Sequence, residues 1–206
     1  MTQYGFYYNI DDCIGCRTCV IACKDKNDLP VGTKYRRLIE YAGGDWQEQD
    51  GVCSVSNFFA YHIAATCNHC ANPACVDQCP TGAMTKDPEN GIVYVQKDVC
   101  IGCGTCAEAC PYDVPKVREE TNISGKCDMC RDLVAQGEQP ACVASCLARC
   151  IKWGDIKELR AEYGDVAAIH PFPSPEETAP SVVFSYHHMN PEDREGEIVS
   201  PEEELY

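Results

Sequence analysis

The sequence predicts an α+β protein of short strands, short helices and long loops, folded as two nested modules with an extended C-terminal tail. Three observations carry that prediction. Sixteen of the 18 cysteines in the 206 residues fall into four groups of four. The second and third groups lie inside the interval between the first and the fourth. After Cys150 the cysteines stop, and from Pro171 the chain turns rich in proline and acid. Cysteine at this density approaches that of disulfide scaffolds, but those are small secreted domains and this chain is far longer. A hydrophobic fraction of 45% is compatible with a folded core.

Charge and hydropathy exclude several classes. A formal net charge of -15 argues against nucleic acid, whose phosphates require a basic face. No apolar run approaches the roughly 18 to 20 residues needed to cross a bilayer, and the best, Asn57 to Cys67, is interrupted by His62. No direct membrane span is therefore expected. Met1 to Asn9 shows no basic region followed by an apolar one, so no signal peptide of its own is expected. The chain would stay in the cytoplasm or travel with a partner.

The cysteine spacing points to the chemistry. Group one, Cys13-x2-Cys16-x2-Cys19-x3-Cys23, and group three, Cys100-x2-Cys103-x2-Cys106-x3-Cys110, match the bacterial ferredoxin spacing without a gap. Group two, Cys67-x2-Cys70-x4-Cys75-x3-Cys79, and group four, Cys127-x2-Cys130-x11-Cys142-x3-Cys146, are loop-expanded versions of it. Three thiolates two residues apart wrap one corner of a compact cluster, and an insertion only enlarges the loop. Four [4Fe-4S] clusters are the expected cofactors. Zinc knuckles use a longer spacer between pairs, and disulfides suit neither this density nor a chain without a secretion signal.

The elements follow in order. Tyr4 to Ile10 reads as a strand entering group one, and Val20 to Asn27 as a short helix. Between Asp28 and Asn57 lies a cysteine-poor insert, expected as a loop excursion on one face. Asn57 to Ala65 reads as a strand feeding group two. The turn Asp87-Pro88-Glu89-Asn90-Gly91 joins Ala83–Lys86 to Ile92–Val95 as a hairpin that leads into group three. Beyond Cys150, Ile151–Gly154 reads as a strand and Asp155–Tyr163 as a capped helix. The tail, ending Ser200–Tyr206, is too proline-rich and acidic to bury a core of its own. Val182–Tyr186 is nevertheless apolar, and is expected either as part of a solvated tail or as an arm on a partner subunit.

The nested order predicts two bacterial-ferredoxin-like modules of two clusters each: residues 1–56 with 121–170, residues 57–120 inserted, and the tail 171–206. In two-cluster ferredoxins the fourth cysteine of a motif ligates the other cluster. Cluster 1 would then take Cys13, Cys16, Cys19 and Cys146, and cluster 2 Cys23, Cys127, Cys130 and Cys142. Cluster 3 would take Cys67, Cys70, Cys75 and Cys110, and cluster 4 Cys79, Cys100, Cys103 and Cys106. Cys53 reads as a small side chain in the insert. Cys150 is an alternative to Cys146, which the common x3 spacing favours. His62 and His69 read as hydrogen-bonding or packing residues. Lys24, Lys126, Arg131 and Arg149 read either as cations that offset cluster charge or as solvated surface. Closed coordination and the lack of any nucleophile-base pair point to electron transfer, with no catalytic residue.

The nested array, with Cys67-Asn68-His69-Cys70, Cys79-Pro80-Thr81-Gly82-Ala83 and Glu40-Tyr41-Ala42-Gly43-Gly44-Asp45-Trp46, resembles the iron-sulfur subunit of the dimethyl sulfoxide reductase family of molybdopterin oxidoreductases over residues 3 to 170. The resemblance implies a molybdopterin-containing catalytic subunit as partner and a membrane anchor subunit that oxidises menaquinol. It also implies co-export with a twin-arginine catalytic subunit, which would allow either face of the membrane. Leu147 stands where the family usually has proline and Cys150 where it usually has alanine. Cys106 stands where related nitrate reductase subunits carry a tryptophan and a three-iron centre. The alternatives are an autonomous polyferredoxin and the electron-transfer subunit of a hydrogenase or formate dehydrogenase.

Overall fold

The computed structural model describes residues 2–199, so the acidic end Ser200–Tyr206 lies outside the described residues. Along the chain run β1 (Tyr4–Tyr8), α1 (Thr18–Lys26), β2 (Arg37–Gln49), β3 (Val52–Ala65), α2 (Ala74–Asp77), β4 (Met84–Lys86), β5 (Val93–Val95), a 3-10 turn (Lys97–Val99) and α3 (Thr105–Glu108). There follow β6 (Lys116–Arg118), β7 (Ile123–Gly125), α4 (Arg131–Val134), α5 (Ala141–Ala144), β8 (Ile151–Asp155), α6 (Ile156–Tyr163), β9 (Val182–Phe184) and β10 (Glu197–Ile198). Apart from the long strands β2 and β3, short strands, short helices and long loops are what the described residues form.

β1 is the centre of the molecule. It pairs antiparallel with β8 on one side and parallel with β9 on the other, and both faces are covered. One face carries Phe6 and Tyr8 into the main core with Ile10, Ile63, Ile151 and Val182; the other carries Tyr7 against Ile156, Leu159 and Val183 under α6. A strand buried on both faces reads as an unbroken apolar run rather than an alternation. That is why the segment Tyr4 to Ile10, of which Tyr4–Tyr8 forms the strand, stood out in the sequence. Helix α6 starts where expected, with the Asp155 carboxylate accepting the Lys157 backbone N–H at 2.8 Å.

Two expectations need correcting. Most of the insert between Asp28 and Asn57 is not a loop excursion: β2 and β3 form one long hairpin, paired from Arg37↔Ala65 out to Gln49↔Val52. Its turn is Asp50-Gly51, both with positive φ (54° and 76°), as a two-residue I′ turn requires. The hairpin's inner half buries Leu38, Ile39, Tyr41, Phe59, Tyr61 and Ile63, while its tip is exposed. The second correction concerns Val182–Phe184, which is neither solvated nor an arm on a partner. It is β9, and Val182 and Val183 are both 0% exposed. Proline and acid keep this segment from forming its own core, so its apolar triplet completes the core around β1. Farther on, β10 pairs with β2, and Asn190 donates to the Tyr61 hydroxyl at 3.3 Å.

Candidate metal centres

The ligand loops follow one plan used four times. The third cysteine of each group rides on a short helix: Cys19 on α1, Cys75 on α2, Cys106 on α3 and Cys142 on α5. The two ungapped groups enter that helix from a left-handed residue, Arg17 (φ 61°) or Gly104 (φ 81°). The two expanded groups enter it from proline, Pro73 or Pro140. Gly15 and Gly102, each at φ 68°, turn the Cys13–Cys16 and Cys100–Cys103 loops, where a β-carbon would be both strained and crowded. At Gly15 it would sit 2.6 Å from the His62 ring, so His62 is the packing wall of that loop.

The loops bring cysteines together across groups. A small cavity of about 20 Å³ is lined by Cys79, Cys100, Cys103 and Cys106, and another of about 20 Å³ by Cys67, Cys70, Cys75 and Cys110. Each has three sulfurs from one group and one from its neighbour. In the other half, α1 packs on α5. There Cys19 lies within electrostatic reach of Cys142, Cys13 and Cys146, and Cys23 within reach of Cys142 and Cys130. All 18 cysteines are free of disulfides.

The donor set fits iron-sulfur clusters on two further observations. Burial pushes the thiols of Cys19 and Cys70 up to about 11 and those of Cys23 and Cys75 up to about 12. Apolar burial of so many adjacent thiols is costly as free thiolates, and metal ligation is what resolves it. The second observation is Arg36, 1% exposed, whose Nη1 donates to the Tyr8 hydroxyl (3.2 Å) and the Ala64 carbonyl (3.0 Å). Its Nε and Nη2 have no protein partner, and the closest thiols around it electrostatically are Cys142, Cys19 and Cys127. A buried guanidinium with two orphaned donors amid thiols suits an anionic group bound there. No sequence signal set Arg36 apart from the other cations.

Among the cations singled out from sequence, Lys126 is buried and donates to the carbonyls of Val93 and Cys127, beside the Cys67–Cys70–Cys75–Cys110 cavity. Lys24 instead ties Pro30 and Thr33 carbonyls (2.6 and 2.8 Å), Arg149 caps the Ala144 and Cys146 carbonyls, and Arg131 stacks on Tyr94. Backbone N–H groups reach cysteine sulfurs as well: Met84 to Cys79 (3.3 Å), Ser124 to Cys100 (3.4 Å) and Met129 to Cys127 (3.4 Å). His69 is 0% exposed, and burial holds it well below the ordinary histidine range, hence neutral. Cys53 is exposed on β3. Cys150 is buried beside Cys146, and its thiol, hydrogen-bonded to Cys13, draws the Cys13 thiol down to about 7.

Asp11, His187 and His188 also converge, but as a clamp. Asp11 Oδ1 meets His188 Nδ1 at 2.7 Å, and His187 Nδ1 accepts the Met189 N–H, leaving its proton on Nε2 toward Asp11. This fastens the C-terminal segment to the loop before Cys13.

Cysteine loops of ferredoxin type, carried on short helices around a small mixed core, define an iron-sulfur electron-transfer protein. The family model of a 4Fe-4S dicluster domain matches residues 58–156, and that of a 4Fe-4S binding domain matches residues 10–32. The chain is 50% identical over 183 residues to the B subunit of anaerobic dimethyl sulfoxide reductase of Escherichia coli, covering 89% of this chain and 88% of that protein. It is 47% identical over 204 residues to YnfG, a probable anaerobic dimethyl sulfoxide reductase subunit of the same species, covering 98% of each. It is 38% identical over 157 residues to the thiosulfate reductase electron transfer subunit PhsB of Salmonella typhi, covering 76% of this chain and 78% of that one. The protein belongs to the family of the iron-sulfur B subunit of anaerobic dimethyl sulfoxide reductase.

Proposed function

We propose that this chain holds four [4Fe-4S] clusters in two nested modules and carries electrons along them between a membrane anchor subunit and a molybdopterin catalytic subunit. The observation that carries the reading is the mixed lining of the two cavities, three cysteines of one group with the fourth of the next. The same rule assigns Cys13, Cys16, Cys19 and Cys146 to cluster 1 and Cys23, Cys127, Cys130 and Cys142 to cluster 2. The packing of α1 on α5 and of α2 on α3 supports pairing group one with four and two with three. No helix among the described residues is long and apolar enough to cross a membrane.

When bound, each cluster takes up and releases one electron. The residues of this chain hold those electrons on a directed route. Cys16 and Cys103 are exposed, whereas Cys127, Cys130, Cys142, Cys67 and Cys75 are buried. Sets one and four, which carry the exposed cysteines, are the terminal sets that meet partners; set two is buried throughout, and set three is half-buried at Cys70 and Cys110. Backbone N–H donors to Cys79, Cys100 and Cys127 and the cations Arg36 and Lys126 offset the negative charge of a reduced centre.

Anaerobic purification of the native complex, with iron and molybdenum analysis and electron paramagnetic resonance during a redox titration, tests the reading. The expected result is about sixteen irons per chain, four per cluster, with co-purifying molybdenum. Zinc in place of iron overturns it, and the same iron on a stable monomer would favour an autonomous polyferredoxin.

A further inference from the structure

Resting on the cluster assignment above, we infer that His69 is the link between the two modules: it belongs to the ligand loop of set three and hydrogen-bonds the thiolate of Cys127 in set two. His69 lies between Cys67 and Cys70, so its backbone is continuous with two ligands of the third set. Its carbonyl accepts from Gln3 Nε2 at 3.1 Å, and its φ of 42° is an unusual value for a side-chain-bearing residue. The loop is held in that shape so that the ring points inward, away from its own ligand set.

The ring is oriented by both nitrogens. Nδ1 accepts the Val93 N–H at 2.9 Å, which fixes the neutral tautomer with the proton on Nε2. Nε2 lies 3.8 Å from Cys127 Sγ, within reach of a sulfur acceptor. Val93 is itself anchored, because its carbonyl accepts from Lys126, which also holds the Cys127 carbonyl. One strand residue therefore registers the imidazole of one module against the cysteine of the other. Cys127 feels the charge of Cys67 as well as of Cys23 and Cys142, so the two sets adjoin at this point.

The chemistry follows from the geometry. One electron crosses, oxidising the centre on one side and reducing that on the other; the imidazole stays neutral and no proton moves. The Nε2–H···S contact gives a hydrogen-bonded route between the two ligand sets. Because the bond strengthens as the thiolate gains charge, it also raises the potential of the set-two centre. His69 is a positioning residue acting through Cys127.

Two variants of the purified complex separate this role from packing. In His69→Asn the side-chain oxygen falls near the Nδ1 position and keeps Val93 satisfied, and asparagine tolerates positive φ, but the donor to Cys127 is lost. In His69→Gln the amide nitrogen reaches the Nε2 position and keeps that donor. The readouts are iron content, the midpoint potential of the centre whose signal a Cys127→Ser variant perturbs, and the lag between reduction of the two modules in freeze-quench resonance. Wild-type iron content with a lowered potential and slower inter-module transfer in His69→Asn, substantially restored in His69→Gln, is the expected result. Unchanged potential and transfer in His69→Asn at full iron overturns the inference, as does loss of a cluster in both variants. A wild-type complex without its full iron would instead be a failure of the cluster assignment.

Discussion

The sulfur of Cys150 lies 3.5 Å from that of Cys146, one turn of chain further on, and its thiol also hydrogen-bonds Cys13. A fifth thiol thus stands among two proposed ligands of the first centre. Cys150→Ala is expected to leave the iron content unchanged and lower that centre's potential, because an S–H donor to its ligands is removed. Cys146→Ala is expected to retain the centre through Cys150, and only the double variant to lose about four irons. Iron analysis with a redox titration checks both.

Arg36 contributes a buried charge amid Cys19, Cys127 and Cys142. Its replacement by methionine keeps the stem and removes the charge, leaving bound anionic centres uncompensated. Removing one partner of a buried charge pair costs about 3–5 kcal/mol. The expected outcome for Arg36→Met is a loss of that order in holoprotein stability, with Arg36→Lys recovering part of it. Denaturant titration followed by cluster absorbance measures it.

Gly15 and Gly82 have nearly the same backbone, φ 68° and 69°, but different surroundings. A β-carbon at Gly82 meets nothing within 4 Å, whereas at Gly15 it meets the His62 ring at 2.6 Å. Gly82→Ala is expected to cost about 1 kcal/mol, the left-handed strain alone. Gly15→Ala is expected to cost more and to displace the Cys13–Cys16 loop, lowering occupancy of the first centre selectively. Iron content and the resonance spectrum of the two variants distinguish these outcomes.

The parallel pairing of β9 with β1 gives a fourth test. Val182 is 0% exposed, so Val182→Ala is expected to destabilise the whole protein by about 2 kcal/mol. Chemical denaturation would reveal it; a change near zero would mean that the segment is not part of the cooperative core.

The iron-sulfur domains were legible because ferredoxin-type cysteine spacing is local, and the capped α6 because Asp155 is a strong local start signal. Of the β2–β3 hairpin the inner part of β3, Asn57 to Ala65, was legible, but β2 and the turn were not, since the tip around Asp50-Gly51 does not carry the alternation that the inner half obeys. β9 could not be foreseen, because its partner lies some 175 residues away and three apolar residues fit a partner's surface as well as this chain's own. Arg36 and His69 act through what surrounds them in space. Neither a lone cation nor one histidine in a two-residue spacer carries that information along the chain.

Because β1 sits between β8 and β9, it must wait for strands made well over a hundred residues later before its sheet closes. By the time residues 182–184 emerge, both groups of the inserted segment have long been outside. Folding would then have a built-in order: every cysteine from Cys67 to Cys146 is already synthesised before the strand that completes the sheet around β1.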